Sequence, residues 1–181
     1  MAGEGLRDFF LRLTWRAFED LGLRESEVAR YLAGVLAEFS RADRLYRIRD
    51  LRGRPLDSLV EMLLWVQLSP LGEEREGELR RYMGDYALFM SGIFREWVQR
   101  HAVLDLYLQE GRRSYERARE AYRRLLKPGS LLLGELARGF EQYADALDYL
   151  KRAYFGQPES DPFEEFLRKL EAWSTQRLSS P

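Results

Sequence analysis

Few residues in this chain have the type and spacing to do chemistry, and Asp85 is the most unusual of them. It stands in YMGDYALFMSGIF, positions 82–94, where only Asp85 and Ser91 are distinctly polar. A carboxylate among apolar neighbours must find a partner or carry a raised pKa, because burying it charged and alone is costly. Two readings follow. Asp85 is a general base or metal ligand in a pocket, or it makes a structural ion pair or helix-to-helix hydrogen bond.

A second group is Glu141, Asp145 and Asp148, at i, i+4 and i+7, which places three carboxylates on one side of a helix. Hard cations such as Mg²⁺ or Mn²⁺ take carboxylate oxygens. Arg138 and Arg152 continue the same stripe, however, and a solvated face laced with i, i+4 ion pairs explains all of the pattern. The third group is basic. RADRLYRIRDLRGR, positions 41–54, holds six arginines against Asp43 and Asp50, and Arg41, Arg44, Arg47 and Arg49 could clamp an oxyanion through their guanidinium forks. Ordinary surface charge is the alternative. Tyr46 is the one ring among them, too little for single-strand nucleic-acid binding.

Exclusions are firmer. His101 is the single histidine, so a Ser-His-Asp triad would have to use it, and a two-histidine zinc or di-iron site has no second ligand. The absence of cysteine removes thiolate chemistry, disulfides and cysteine zinc sites, and favours the cytoplasm. No G-x-S-x-G, Walker or dinucleotide motif occurs. A formal net charge of −1 argues against non-specific nucleic-acid binding. No run reaches the roughly 20 apolar residues that span a bilayer, and the N-terminus lacks the pattern of a signal peptide.

The elements that must position these residues read as helices. Apolar residues recur at three and four from Leu6 to Leu21, then from Val28 to Phe39 with Ser26 as the expected N-cap, and the helical period resumes from Leu56 through Leu59, Val60, Leu63 and Leu64 to Gln67. Ser69-Pro70 ends the third. Glu73, Glu74 and Glu76 open the next, which leads into a helix apolar on every face near 82–98 and therefore buried at the centre of the bundle. Gly84 and Gly92 lie inside it, each costing roughly 1 kcal/mol relative to alanine, so a neighbouring helix should approach closely there. A bend is expected at Arg100-His101-Ala102, followed by an amphipathic helix from Arg112 to Leu126 carrying Tyr115, Ala118, Tyr122 and Leu125 inward. After the turn Lys127-Pro128-Gly129-Ser130, the residues Leu136, Phe140, Tyr143, Leu147, Leu150 and Tyr154 form one heptad seam. Asp161-Pro162-Phe163-Glu164 then starts a last helix. No strand alternation and no fixed repeat is present. The expected architecture is an all-α, single-domain bundle of about six to eight helices over 1–174, with a polar tail at 175–181.

The runs GDYALFMSGIF at 84–94 and LDLYLQEGRRSY at 104–115 resemble a pattern of uncharacterised bacterial all-helical proteins, over about 31–155. The resemblance implies a cytoplasmic helical protein of bacterial type and carries over no catalytic or ligand residue.

With no catalytic constellation, several aromatic-rich amphipathic helices and near-neutral charge, the leading expectation is a non-enzymatic binding or protein-interaction module that self-associates and needs no cofactor. One alternative is a small Mg²⁺- or Mn²⁺-dependent enzyme acting on a phosphorylated substrate. Another is a carrier of an apolar small molecule.

Overall fold

The computed structural model describes residues 2–41 and 58–154. Of the arginine-rich window it therefore includes Arg41, while Arg44, Arg47 and Arg49 lie outside the described residues, as do the helix expected after Asp161 and the tail at 175–181. Among the described residues every regular element is helical, and the protein is an all-α bundle of eight helices.

The chain begins with a helical hairpin, α1 (Ala2–Leu21) and α2 (Ser26–Phe39). Gly22 closes α1 at φ +70°, a left-handed conformation that glycine adopts without a Cβ clash. Leu23 N–H returns to the Phe18 carbonyl at 2.8 Å, satisfying one of the open carbonyls of the last turn. Phe10, Ala17 and Phe18 of α1 and Val28, Leu32, Val35, Leu36 and Phe39 of α2 are buried, as their spacing requires. The N-cap falls on Glu25 rather than Ser26, with no side-chain cap. Ser26 is the first helical residue.

Helix α3 (Leu59–Leu68) is capped by Ser58, whose hydroxyl accepts from Glu61 N–H. It turns Leu59, Met62 and Val66 into the core. Its other side remains apolar: Val60, Leu64 and Leu68, at i, i+4 and i+8, are 46%, 52% and 82% exposed.

Helix α4 (Glu73–Ile93) is the hub, packing on α6 above all and also on α8, α3, α2 and α5. The expected buried helix near 82–98 is thus real in its first part, but it breaks at Phe94 and resumes as the short α5 (Arg95–Arg100). The cause is local. The Ser91 carbonyl accepts the Arg95 side-chain Nε at 2.9 Å, and Phe94 moves to φ −105°, ψ 30°.

The interior glycines of α4 have the expected purpose. A Cβ on Gly84 would lie 2.6 Å from the Tyr115 ring, and one on Gly92 would lie 2.5 Å from the Leu147 side chain. Helix α6 (Leu104–Arg124) is continuous from Leu104, longer than the amphipathic stretch from Arg112 alone, and it ends before Leu125, which caps it and is 38% exposed rather than inward. Its Gly111 reciprocates by admitting Ala87 and Phe140. The seam from Leu136 to Tyr154 is split at Gly139 into α7 (Ser130–Arg138) and α8 (Phe140–Tyr154). Leu136, Phe140, Tyr143, Leu147 and Leu150 are nevertheless all buried. The apolar period survives the break because each short helix still turns its own stripe toward the same core.

Candidate functional site

The α4–α6 interface is lined along one edge by acids facing tyrosines. Asp85 and Glu78 are seven residues apart on α4, and Tyr115 and Tyr122 are seven apart on α6. Because the two helices run antiparallel, the pairs meet in order. Tyr115 Oη donates to Asp85 Oδ1 at 2.7 Å, and Tyr122 Oη donates to Glu78 Oε1 at 2.7 Å. From α2, Tyr31 Oη donates to the same Asp85 Oδ1, again at 2.7 Å. Short O–H···O⁻ bonds of this kind are charge-assisted and stronger than neutral ones.

Of the two expectations for Asp85, the structure brings out both a helix-to-helix hydrogen bond and a raised pKa. Its residue is half-buried, yet burial of the carboxylate dominates and pushes its pKa up to about 6. The two tyrosine hydrogen bonds and the Arg81 charge one turn away pull it down, while Glu38 pushes it further up. Burial, reinforced by the adjacent Asp85, holds the hydroxyls of Tyr31 and Tyr115 protonated well above the usual tyrosine range. The cluster therefore presents one carboxylate that gains or loses a proton near neutral pH beside two hydroxyls that stay protonated throughout.

At the solvent end of the same edge, Lys127 Nζ meets Glu78 at 2.9 Å and Glu74 at 3.1 Å. Burial works against the Glu78 charge, but the bonds from Lys127 and Tyr122 outweigh it and leave the pKa lowered. Arg81 reaches Glu78 at 3.3 Å. Carboxylates on one helix edge thus pass from exposed at Glu74 to enclosed at Asp85.

The other sequence candidates lie elsewhere. Asp145 and Asp148 on α8 face Arg95 of α5, whose Nη1 is 2.7 Å from Asp145 and 3.9 Å from Asp148, and Arg152 holds Asp148 at 2.9 Å. Glu141 is exposed and stands apart from this group. Among the described residues no three His, Asp or Glu side chains come together as a metal site. Arg41 is exposed at the end of α2. His101 stacks on Trp97 with ring centroids 4.1 Å apart and donates from Nδ1 to the Trp97 carbonyl at 2.7 Å, closing the end of α5. Nothing brings these residues to Asp85.

The residues that sequence reasoning missed are the hydroxyl donors. Tyr115 and Tyr122 read as inward-facing positions, and a buried tyrosine hydroxyl needs a partner. The matched seven-residue spacings of Asp85 with Glu78 and of Tyr115 with Tyr122 carried that pairing in plain sight. Arg95 gave no comparable signal, since only the break at Phe94 turns it toward α8.

On its outer side Tyr31 lines an open cleft of about 630 Å³ between α1, α2 and the α6–α7 turn. Arg7, Glu27, Arg30, Lys127 and Leu131 are among the other residues around it. Among the described residues no helix is long and apolar enough to cross a membrane. No protein-family model matches the sequence, and comparisons with curated proteins and with solved structures find no match to it.

Proposed function

We propose that this protein is a non-enzymatic interaction module that self-associates through the outer face of α3. The observation that carries the reading is the row Val60, Leu64 and Leu68, one apolar stripe along a single helix, more exposed toward its C-terminal end. Isolated exposed leucines need no explanation, but an aligned row on one face is the form an association surface takes. A second copy is the partner it fits. The row carries no charge, so it asks for no complementary charge opposite. Two such rows related by a two-fold axis cover each other, as an isologous interface requires. The net charge of −1 sets no repulsive barrier between copies.

The buried acid supports an interaction role over catalysis. Asp85 Oδ1 is engaged in tying α2 and α6 to α4, and Asp145 and Asp148 of α8 are matched by arginines. The lack of cysteine supports a cytoplasmic setting.

Three side chains supply only part of the roughly 1,600 Å² of a standard interface, so the dimer should be reversible and dependent on concentration. Sedimentation velocity over a concentration series is the test. Wild type should move from monomer toward dimer as concentration rises, and the exposed substitutions Leu64→Glu and Leu68→Glu together should hold it monomeric without loss of helicity. A monomer at every concentration, or a dimer that ignores both substitutions, would sink the reading.

A further inference from the structure

The cleft above Tyr31 has a composition unlike the rest of the surface. Its wall is drawn from three elements: Arg7 of α1, Glu27, Arg30 and Tyr31 of α2, and the α6–α7 turn with the start of α7. Three basic groups against one acid line it, in a chain whose net charge is −1. Lys127 is already matched by Glu74 and Glu78. Arg7 and Arg30 are not matched: neither has an ion-pair partner among the described residues, although Glu27 stands one turn from Arg30. Two unpaired guanidinium groups therefore share one concavity, and that fork geometry suits an oxyanion.

Beside them the wall is apolar. Pro128, Leu131 and Leu132 line the cleft, and Leu131 is 84% exposed. In the preceding turn, outside the lining of the cleft, Leu126 is 92% exposed and held at φ +54°, a left-handed conformation that costs a leucine strain. Within the protein neither leucine gains burial from its position. A volume near 630 Å³ falls within the range of small-molecule sites, which combine apolar walls with a few placed polar groups.

We propose that this cleft binds a small amphipathic organic anion, a phosphate or carboxylate head on a short apolar chain, with Arg7 and Arg30 on the head and Leu131 and Leu132 against the chain. The surface is separate from the α3 row, so this site and self-association stand or fall independently.

Isothermal titration with octyl phosphate tests it, with inorganic phosphate and 1-octanol as the two halves of the ligand. Octyl phosphate should bind one per chain, and each half alone should bind at least about tenfold more weakly, a difference of about 1.4 kcal/mol. The double substitution Arg7→Ala/Arg30→Ala, at exposed positions, should weaken octyl phosphate by about tenfold or more. Leu131→Ala should weaken it a few-fold, Glu27→Gln should tighten it, and Arg113→Ala, on the exposed side of α6 and paired with Glu110, should leave it unchanged. No binding at millimolar concentration, or binding that survives the double substitution, overturns the site. Sedimentation with phosphatidylglycerol vesicles without binding of monomeric octyl phosphate would assign the arginines to a membrane surface and overturn the cleft as a small-molecule site.

Discussion

Asp85 and Asp20 each accept hydrogen bonds from two tyrosine hydroxyls, and their acidities move in opposite directions. At Asp20, near the end of α1, Tyr154 and Tyr149 of α8 donate to Oδ2 at 2.5 and 2.9 Å in the open. Those bonds favour the charged form and lower the pKa of Asp20. In return the bond to Asp20 pushes the Tyr154 hydroxyl up to about 12. At Asp85 the same pair of donors is present, but burial outweighs them and the pKa rises to about 6. The chemistry of the partners is shared, so the difference lies in water. Where water still reaches the carboxylate, two tyrosines make it a stronger acid. Where packing excludes water, two tyrosines only limit the penalty.

The consequence for stability has a definite sign. Between the ordinary aspartate pKa near 4 and the folded value of about 6, the native state binds more protons at Asp85 than the unfolded chain. Its contribution is therefore fully present below about pH 4, is lost as pH rises through 6, and costs about 2 to 3 kcal/mol at neutral pH relative to the protonated form. Asp20 behaves the other way: its contribution is present above the ordinary aspartate pKa and is lost as pH falls. A chain that keeps a carboxylate at this cost in its central helix obtains in exchange a specific tie among α2, α4 and α6.

The largest way to break the comparison is to remove a donor together with its ring. Tyr115 is fully buried against Gly84 and Phe140, so Tyr115→Ala should destabilise by about 3 to 5 kcal/mol in urea denaturation, cavity included. Tyr154→Ala, at the exposed cluster, should cost far less. Equal losses at the two sites would mean that burial does not separate them.

A smaller and sharper effect comes from removing the charge alone. Asp85→Asn keeps an oxygen for both tyrosines and should raise stability at pH 7 by about 1 to 3 kcal/mol. The wild-type minus Asp85→Asn difference should shrink toward zero as pH falls from 7 to 4. Asp20→Asn should instead lower stability slightly at pH 7. Thermal unfolding of the three proteins across that range reads both signs at once, and a destabilised Asp85→Asn would show that ionised Asp85 is the favoured state.

Much of this was legible in the sequence, and the misses have physical causes. The helices, the core stripes and the close approach at Gly84 and Gly92 follow from apolar period and from what an interior glycine must admit. The breaks at Phe94 and Gly139 do not, because apolar spacing carries across a kink when both halves face one core. Asp85 stood out as a lone acid in need of an ion pair or a helix-to-helix hydrogen bond, but the sequence did not name the tyrosines that supply it. Aromatic residues at helical spacing read first as packing, and their hydroxyls were overlooked. The carboxylates of α8 read as a solvated, ion-paired face with a metal stripe as the alternative, but the sequence did not show that Arg95 of α5 is the residue set against Asp145 and Asp148.

The most direct measurement is the titration of Asp85 itself, followed by carboxyl ¹³C chemical shift with Asp20 as the internal reference and Asp85→Asn to fix the assignment. A midpoint near 6 for Asp85, with Asp20 below the ordinary aspartate value, is the predicted result. A midpoint for Asp85 at or below 4 would mean that its two tyrosines overcome burial, and the contrast between the two clusters would be gone.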